Sequence, residues 1–189
     1  MHCPAPEGYD YLNDGYHTSD GDVGCYYRPE VGNMFLIGSE DPDCDPQEWV
    51  DPDVFYAGQE SYGRNNQLTV EQWNAQTYRC ARRVPDMAIP NQPRGVCDLY
   101  DCSDDWIPIY DKSSMRGFYM AIGSSGNQYK NAPVAGHMMA ELIDKCEKGL
   151  DHDKEPLQYT LPHIGRTIDV GFFSRNREIN YNSSFSVNG

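Results

Sequence analysis

The sequence predicts an α+β fold, on three observations. Stretches 69–83 and 132–148 repeat apolar residues with helical period. Short β-branched and aromatic runs bounded by turn formers, at 24–28, 34–38, 106–110 and 117–122, read as strands. The rest is rich in turn-forming residues, above all the first 66, whose Asp, Gly, Pro, Asn and Tyr cannot bury much apolar area without a partner surface.

In chain order, residues 1–22 read as loop, with Tyr9, Tyr11 and Tyr16 available to pack. The runs 24–28 and 34–38 form a hairpin about the turn residues 29–33. The acidic stretch 41–53 mimics the start of a calcium loop at Asp41, Asp43 and Asp45. Pro46 stands where such a loop needs glycine, and Pro52 where a glutamate should close it, so a solvated loop is expected. Thr69 and Gln72 make a capping box that opens the first helix. Val70, Trp73, Thr77 and Cys80 share its apolar face, and Pro85 ends it.

The stretch 94–150 organises the chain. Its two strand runs lead into the polar loop 123–131, and a helix follows. Asn131 is the expected N-cap, and Pro133 sits where a missing N–H costs nothing. Val134, Met138, Leu142 and Ile143 form the stripe, widened by Ala135 and Met139; Lys145, Lys148 and Gly149 close the helix. Beyond it the chain is polar. Asp151-His152-Asp153 is expected to be a solvated loop, since a single histidine makes a poor metal site. No metal is expected.

With 15 Lys+Arg against 29 Asp+Glu, the net charge is −14, which argues against nucleic acid and against anionic membrane surfaces. No apolar run is long enough to span a bilayer, and Met1-His2-Cys3-Pro4 begins no signal peptide, so a cytoplasmic location is expected. Seven cysteines in irregular spacing without CxxC read as free thiols.

Strand, glycine loop and helix start converge near Ala132. Unpaired N–H groups and the positive helix end gather there, which suits an electron-rich group, although spacing alone also fits an ordinary connection. The segment resembles the D-amino-acid-oxidase-like family of FAD-dependent oxidoreductases, in the group of monomeric sarcosine oxidase and glycine oxidase. Arg94-Gly95, Tyr100, Asp105, Pro108-Ile109-Tyr110-Asp111, Gly123-Ser124-Ser125-Gly126, Lys130 and the small-residue helix carry the likeness, with Phe173-Ser174-Arg175-Asn176-Arg177 in the tail.

The resemblance implies part of a two-domain FAD-linked reductase-like α/β fold. Residues 1–93 would be the C-terminal part of a substrate-binding domain, with a mixed sheet. Residues 94–150 would be the returning segment of the FAD domain, its last strands and helix, and 151–189 a polar tail. It implies FAD as cofactor, contacted by Gly123, Ser124, Ser125, Gly126, Asn127, Gln128 and Lys130. Lys130 and Tyr100 would be the catalytic and substrate-orienting pair, and Tyr27 a further wall of the substrate site.

Three departures qualify the likeness. The position of the covalent flavin cysteine in monomeric sarcosine oxidase is Asp98 here; Cys97 beside it would face the other way on a strand, so FAD is expected to be noncovalent. The oxygen-activating lysine falls near Leu36 and a histidine near Glu40, leaving oxidase and dehydrogenase both open. No GxGxxG opens a βαβ unit, so an N-terminal dinucleotide-binding half is expected to lie outside this sequence. The expected function is the C-terminal portion of an FAD-dependent oxidoreductase that moves a hydride from an amine or amino acid to flavin and leaves an imine. Alone it is expected to be inactive, colourless and poorly folded. A non-catalytic or complementing subunit that docks on a separate dinucleotide-binding chain is the alternative, and a small acidic binding module a third.

Overall fold

In the computed structural model, which describes residues 1–45, 49–56 and 68–187, the chain has mixed α+β content in two units, Met1–Leu99 and Tyr100–Gly189.

The first unit is built on a hairpin. β3 (Cys25–Glu30) and β4 (Met34–Ser39) pair antiparallel with Glu30 opposite Met34, so the turn shrinks to residues 31–33 and the strands run through Pro29. Gly32 (φ +84°) and Asn33 (φ +57°) make so tight a reversal possible. β1 (His2–Pro4) pairs with β4, and β2 (Thr18–Asp20) with β3, giving the order β1-β4-β3-β2. The expectation that residues 1–22 are loop is therefore corrected. These three-residue strands carry no periodicity of their own; the hairpin's edges supply their hydrogen bonds.

A short helix, α1 (Pro52–Tyr56), precedes α2 (Val70–Ala81). Both halves of the capping box are present: Gln72 N–H donates to Thr69 Oγ1 at 3.1 Å, and Thr69 N–H donates to Gln72 Oε1 at 3.0 Å. Trp73, Gln76, Thr77 and Cys80 are the buried face of α2, whereas Val70, assigned to that face from its spacing, is exposed. Cys3, Cys25, Phe35 and Ile37 meet Trp73, Cys80 and Met87 in one core. Tyr9 packs edge-on against Phe35, with ring centroids 4.9 Å apart. Asp45 is committed to Arg79, through contacts of 2.5 and 2.6 Å. The middle of the acidic run, with Pro46, lies outside the described residues.

In the second unit β5 (Ile109–Lys112) pairs antiparallel with β6 (Tyr119–Ile122). Trp106, read as strand, instead occupies a turn with φ +60°. α3 (Ala132–Glu147) follows a 3₁₀ turn, Tyr129–Asn131. Ala135, Met138 and Leu142 face the core, and Val134 and Ile143 flank the stripe, partly exposed. Gly149 (φ +103°) ends α3, with Leu150 N–H reaching back to Lys145 O at 3.0 Å. A second hairpin, β7 (Gln158–Thr160) and β8 (Thr167–Asp169), leads to the 3₁₀ turn Val170–Phe173. Leu157, Tyr159 and Val170 close the core over Tyr110 and Leu142.

Buried carboxylates tie the last residues to this unit. Asp105 receives Arg177 Nε at 3.0 Å and Nη2 at 2.6 Å, so the guanidinium holds its carboxyl far below the ordinary range. Asp111 accepts from Arg175 N–H at 2.9 Å, Arg175 Nη1 at 3.0 Å and Ser174 Oγ at 3.1 Å. Asp153, at the exposed rim, shares Arg175 Nη1 at 2.9 Å and takes Nη2 at 3.0 Å, and the guanidinium lowers its carboxyl to about 2. His152 corrects the expectation of a solvated loop at 151–153: it is fully buried, and its Nδ1 accepts Leu157 N–H at 3.0 Å.

Candidate functional site

The loop from Gly123 to Lys130 links β6 to α3, and its shape is unusual. Gly123 (φ +67°), Ser125 (φ +49°) and Gly126 (φ +76°) all take left-handed backbone. For the serine this costs about 1–2 kcal/mol, so neighbouring contacts must hold it. Tyr100 and Asp101 supply them. A Cβ added to Gly126 would come within 2.7 Å of the Tyr100 ring, so only glycine lets the ring lie so close. The Asp101 carboxylate accepts Ser124 N–H at 3.0 Å and the Ser124 hydroxyl, and the Asp101 carbonyl accepts Ser125 N–H at 3.2 Å. Burial opposes the Asp101 charge, but the Ser124 donors outweigh it and keep the carboxyl below its ordinary range.

The side chains of the loop bond mostly inward. Ser125 is buried and donates to Gly123 O at 3.2 Å. Gln128 Oε1 accepts from Tyr110 Oη and from Asn131 Nδ2, each at 3.0 Å, and Gln128 Nε2 donates to Asn127 Oδ1. Asn127 is itself buried and donates to Ser186 O at 3.4 Å. Asn131, expected to cap α3 with its side chain, does not; that side chain is turned back on Gln128, and the 3₁₀ turn takes over the helix start.

The main chain is what remains. Among the described residues, the N–H groups of Gly126, Gln128, Tyr129 and Lys130 have no acceptor, while those of Ser124, Ser125, Asn127 and Asn131 are used. The Lys130 side chain is exposed and makes no ion pair among the described residues. Four free donors and one cation thus collect within five residues, at the positive end of the turn that runs into α3. Such a cluster can bind the electron-rich edge of a planar ring or an anion. A cleft of about 360 Å³ adjoins it, lined by Tyr110, Ile122, Ser124, Gln128, Gly136 and Met139 among others.

Tyr100, Gly123, Ser124, Ser125, Gly126, Asn127, Gln128 and Lys130 thus lie together in the second unit. Tyr27 belongs to the first, half-buried in β3 with its ring 5.4 Å from that of Phe35. In that unit Asp98 accepts a hydrogen bond from Tyr56 Oη at 2.7 Å, and the Cys97 sulfur accepts from Gln72 Nε2 at 3.6 Å. Sequence inspection missed Asp101, whose tie to Ser124 spans 23 residues and leaves no local pattern.

Among the described residues no group of three or more His, Cys, Asp and Glu could hold a metal ion, and no helix is long and apolar enough to cross a membrane. Compared with known proteins, the sequence model of the family described as FAD dependent oxidoreductase (DAO) matches residues 2–142. No curated protein and no solved structure matches.

Proposed function

The chain belongs to the family of FAD-dependent oxidoreductases, and on that premise we propose that it carries the isoalloxazine-side and substrate-orienting portion of an enzyme oxidising an amine or amino acid. FAD is its cofactor, and with a carboxylate at Asp98 where a thiol would be needed for attachment, it is held noncovalently.

The carrying observation is the row of free amides at Gly126, Gln128, Tyr129 and Lys130. When bound, FAD accepts a hydride from a substrate carbon and gains negative charge along one edge of its ring. The four amides and the start of α3 fit that edge as fixed donors that need no reorganisation. Lys130 holds a substrate carboxylate by charge, and Tyr100, ring against Gly126, forms the adjoining wall. Substrate leaves as an imine, which water hydrolyses.

A narrower reading follows for the division of labour. The ADP half of FAD needs a βαβ unit with GxGxxG, which this sequence does not show. A dinucleotide-binding portion outside these 189 residues would supply it, as a preceding part of the same chain or as a separate subunit. This sequence is then the C-terminal portion, in the sarcosine oxidase and glycine oxidase group, and by itself it would neither retain FAD nor turn over. Exposed apolar side chains on β6, Ile122 foremost, and the adjoining cleft support a covering portion.

Lys130→Met in the holoenzyme tests the reading. It should raise KM for an amino acid about tenfold or more, the worth of one charge-assisted contact, and leave an amine without a carboxylate nearly unchanged. Equal kinetics for both substrates, before and after the change, would remove Lys130 from the site.

A further inference from the structure

Taking the loop at 123–130 as the cofactor loop proposed above, we infer that Asp101 is its positioning residue: it locks the 123–126 turn in the shape that leaves the Gly126 and 128–130 amides free, and it places a fixed negative charge beside them.

The turn needs a lock from outside. Three of its four residues are left-handed, one of them a serine, and the only hydrogen bond within the turn from a side chain is Ser125 Oγ to Gly123 O. Asp101 provides three bonds from one residue: its carboxylate takes the Ser124 amide and hydroxyl, and its carbonyl takes the Ser125 amide. With both amides spent on Asp101, Ser124 and Ser125 shape the loop, and cofactor recognition falls to the amides that follow. The hydroxyl and amide of Ser124 both need an acceptor on the same side chain, which a carboxylate gives with two oxygens and a carboxamide with one.

The charge has a second effect. An anion fixed beside the loop opposes further negative charge there, so Asp101 counteracts the donors at Gly126 and 128–130. It therefore holds the cofactor's potential below the value the donors alone would give. A neutral acceptor should raise that potential while keeping part of the lock.

The experiment compares Asp101→Ala and Asp101→Asn in the protein assembled with its dinucleotide-binding portion. Three readouts are taken: hydrogen exchange at Ser124 and Ser125 without cofactor, FAD affinity, and the reduction potential of bound FAD. Asp101→Ala should speed exchange about tenfold at the Ser124 amide, which loses its carboxylate acceptor, while the Ser125 amide keeps the residue-101 carbonyl, and should weaken FAD about tenfold, as loss of a hydrogen bond to a charged group implies. Asp101→Asn should keep affinity within about threefold, roughly half a hydrogen bond's worth, yet raise the potential. A merely structural role would leave the potential of Asp101→Asn at the wild-type value, and that result overturns the charge role. Unchanged exchange in Asp101→Ala overturns the lock. Faster exchange with affinity and potential both unmoved shows instead that the loop does not hold the cofactor, and overturns the site reading together with this inference.

Discussion

Replacing Arg177 by Leu should be among the most damaging single changes in the second unit. The Arg177 and Asp105 side chains are 14% and 2% exposed. The substitution removes two donors from Asp105 and two bonds to backbone carbonyls, at Ile107 (2.6 Å) and Ser174 (3.1 Å). Three neutral donors stay on the carboxylate: Ser103 Oγ, Ile107 N–H and Asn180 N–H. Breaking a buried pair from one side costs about 3–5 kcal/mol, and the remaining donors place this case near the lower end, about 3 kcal/mol. For a unit of this size that is roughly 12–24 °C in melting temperature. Differential scanning calorimetry at neutral pH measures it. Acidification gives a second check. The pair lowers the folded pKa of Asp105, so its stabilisation is present above the unfolded value of about 3.9 and is lost as pH falls toward the folded value. The gap between wild type and Arg177→Leu should therefore narrow below about pH 4. Converting Asp105 to Asn in the same chain should recover part of the loss. A shift under about 4 °C at neutral pH, the equivalent of under 1 kcal/mol, would show that the pair is solvated, and the account of how the tail is anchored would fail.

Two further predictions concern histidine and glycine. Burial lowers the pKa of His152 more than Asp111, Asp153 and Asp169 raise it, while Lys112 adds to the lowering, so the imidazole is neutral in the fold and its 3.7 Å approach to Asp111 is not an ion pair. Its depressed pKa means stability is full above the unfolded value of about 6.5 and falls below it, by at most about 1.4 kcal/mol per pH unit. His152→Gln, which keeps an acceptor for Leu157 N–H, should flatten urea-measured stability between pH 5 and about 6.5; an unchanged slope would assign the pH dependence to other groups. Gly136→Ala in α3 meets nothing within 4 Å and should stabilise by up to about 1 kcal/mol. Gly126→Ala is left-handed and meets the Tyr100 ring, so it should cost about 1–2 kcal/mol and weaken FAD retention. Melting shifts of the same sign in the two variants would contradict the loop geometry.

The sequence alone determined what local chemistry encodes. Thr69 and Gln72 started α2, Gly149 stopped α3, and two short strand-forming runs joined by turn residues made the central hairpin, because caps and turns act over a few positions. The glycine loop and Lys130 stood out as a candidate site through the family resemblance, since their spacing alone also fits an ordinary connection. Tertiary structure decided the rest. β1 and β2 exist only because β4 and β3 offer edges to them, and His152 is buried because Leu157 and Asp111 close around it. Arg175 and Arg177 find Asp111 and Asp105 more than sixty residues away, and Asp101 finds Ser124 across 23. Pairings at such separations depend on where the fold brings two polar groups within hydrogen-bond reach, and neither partner's neighbours in the chain carry a trace of it.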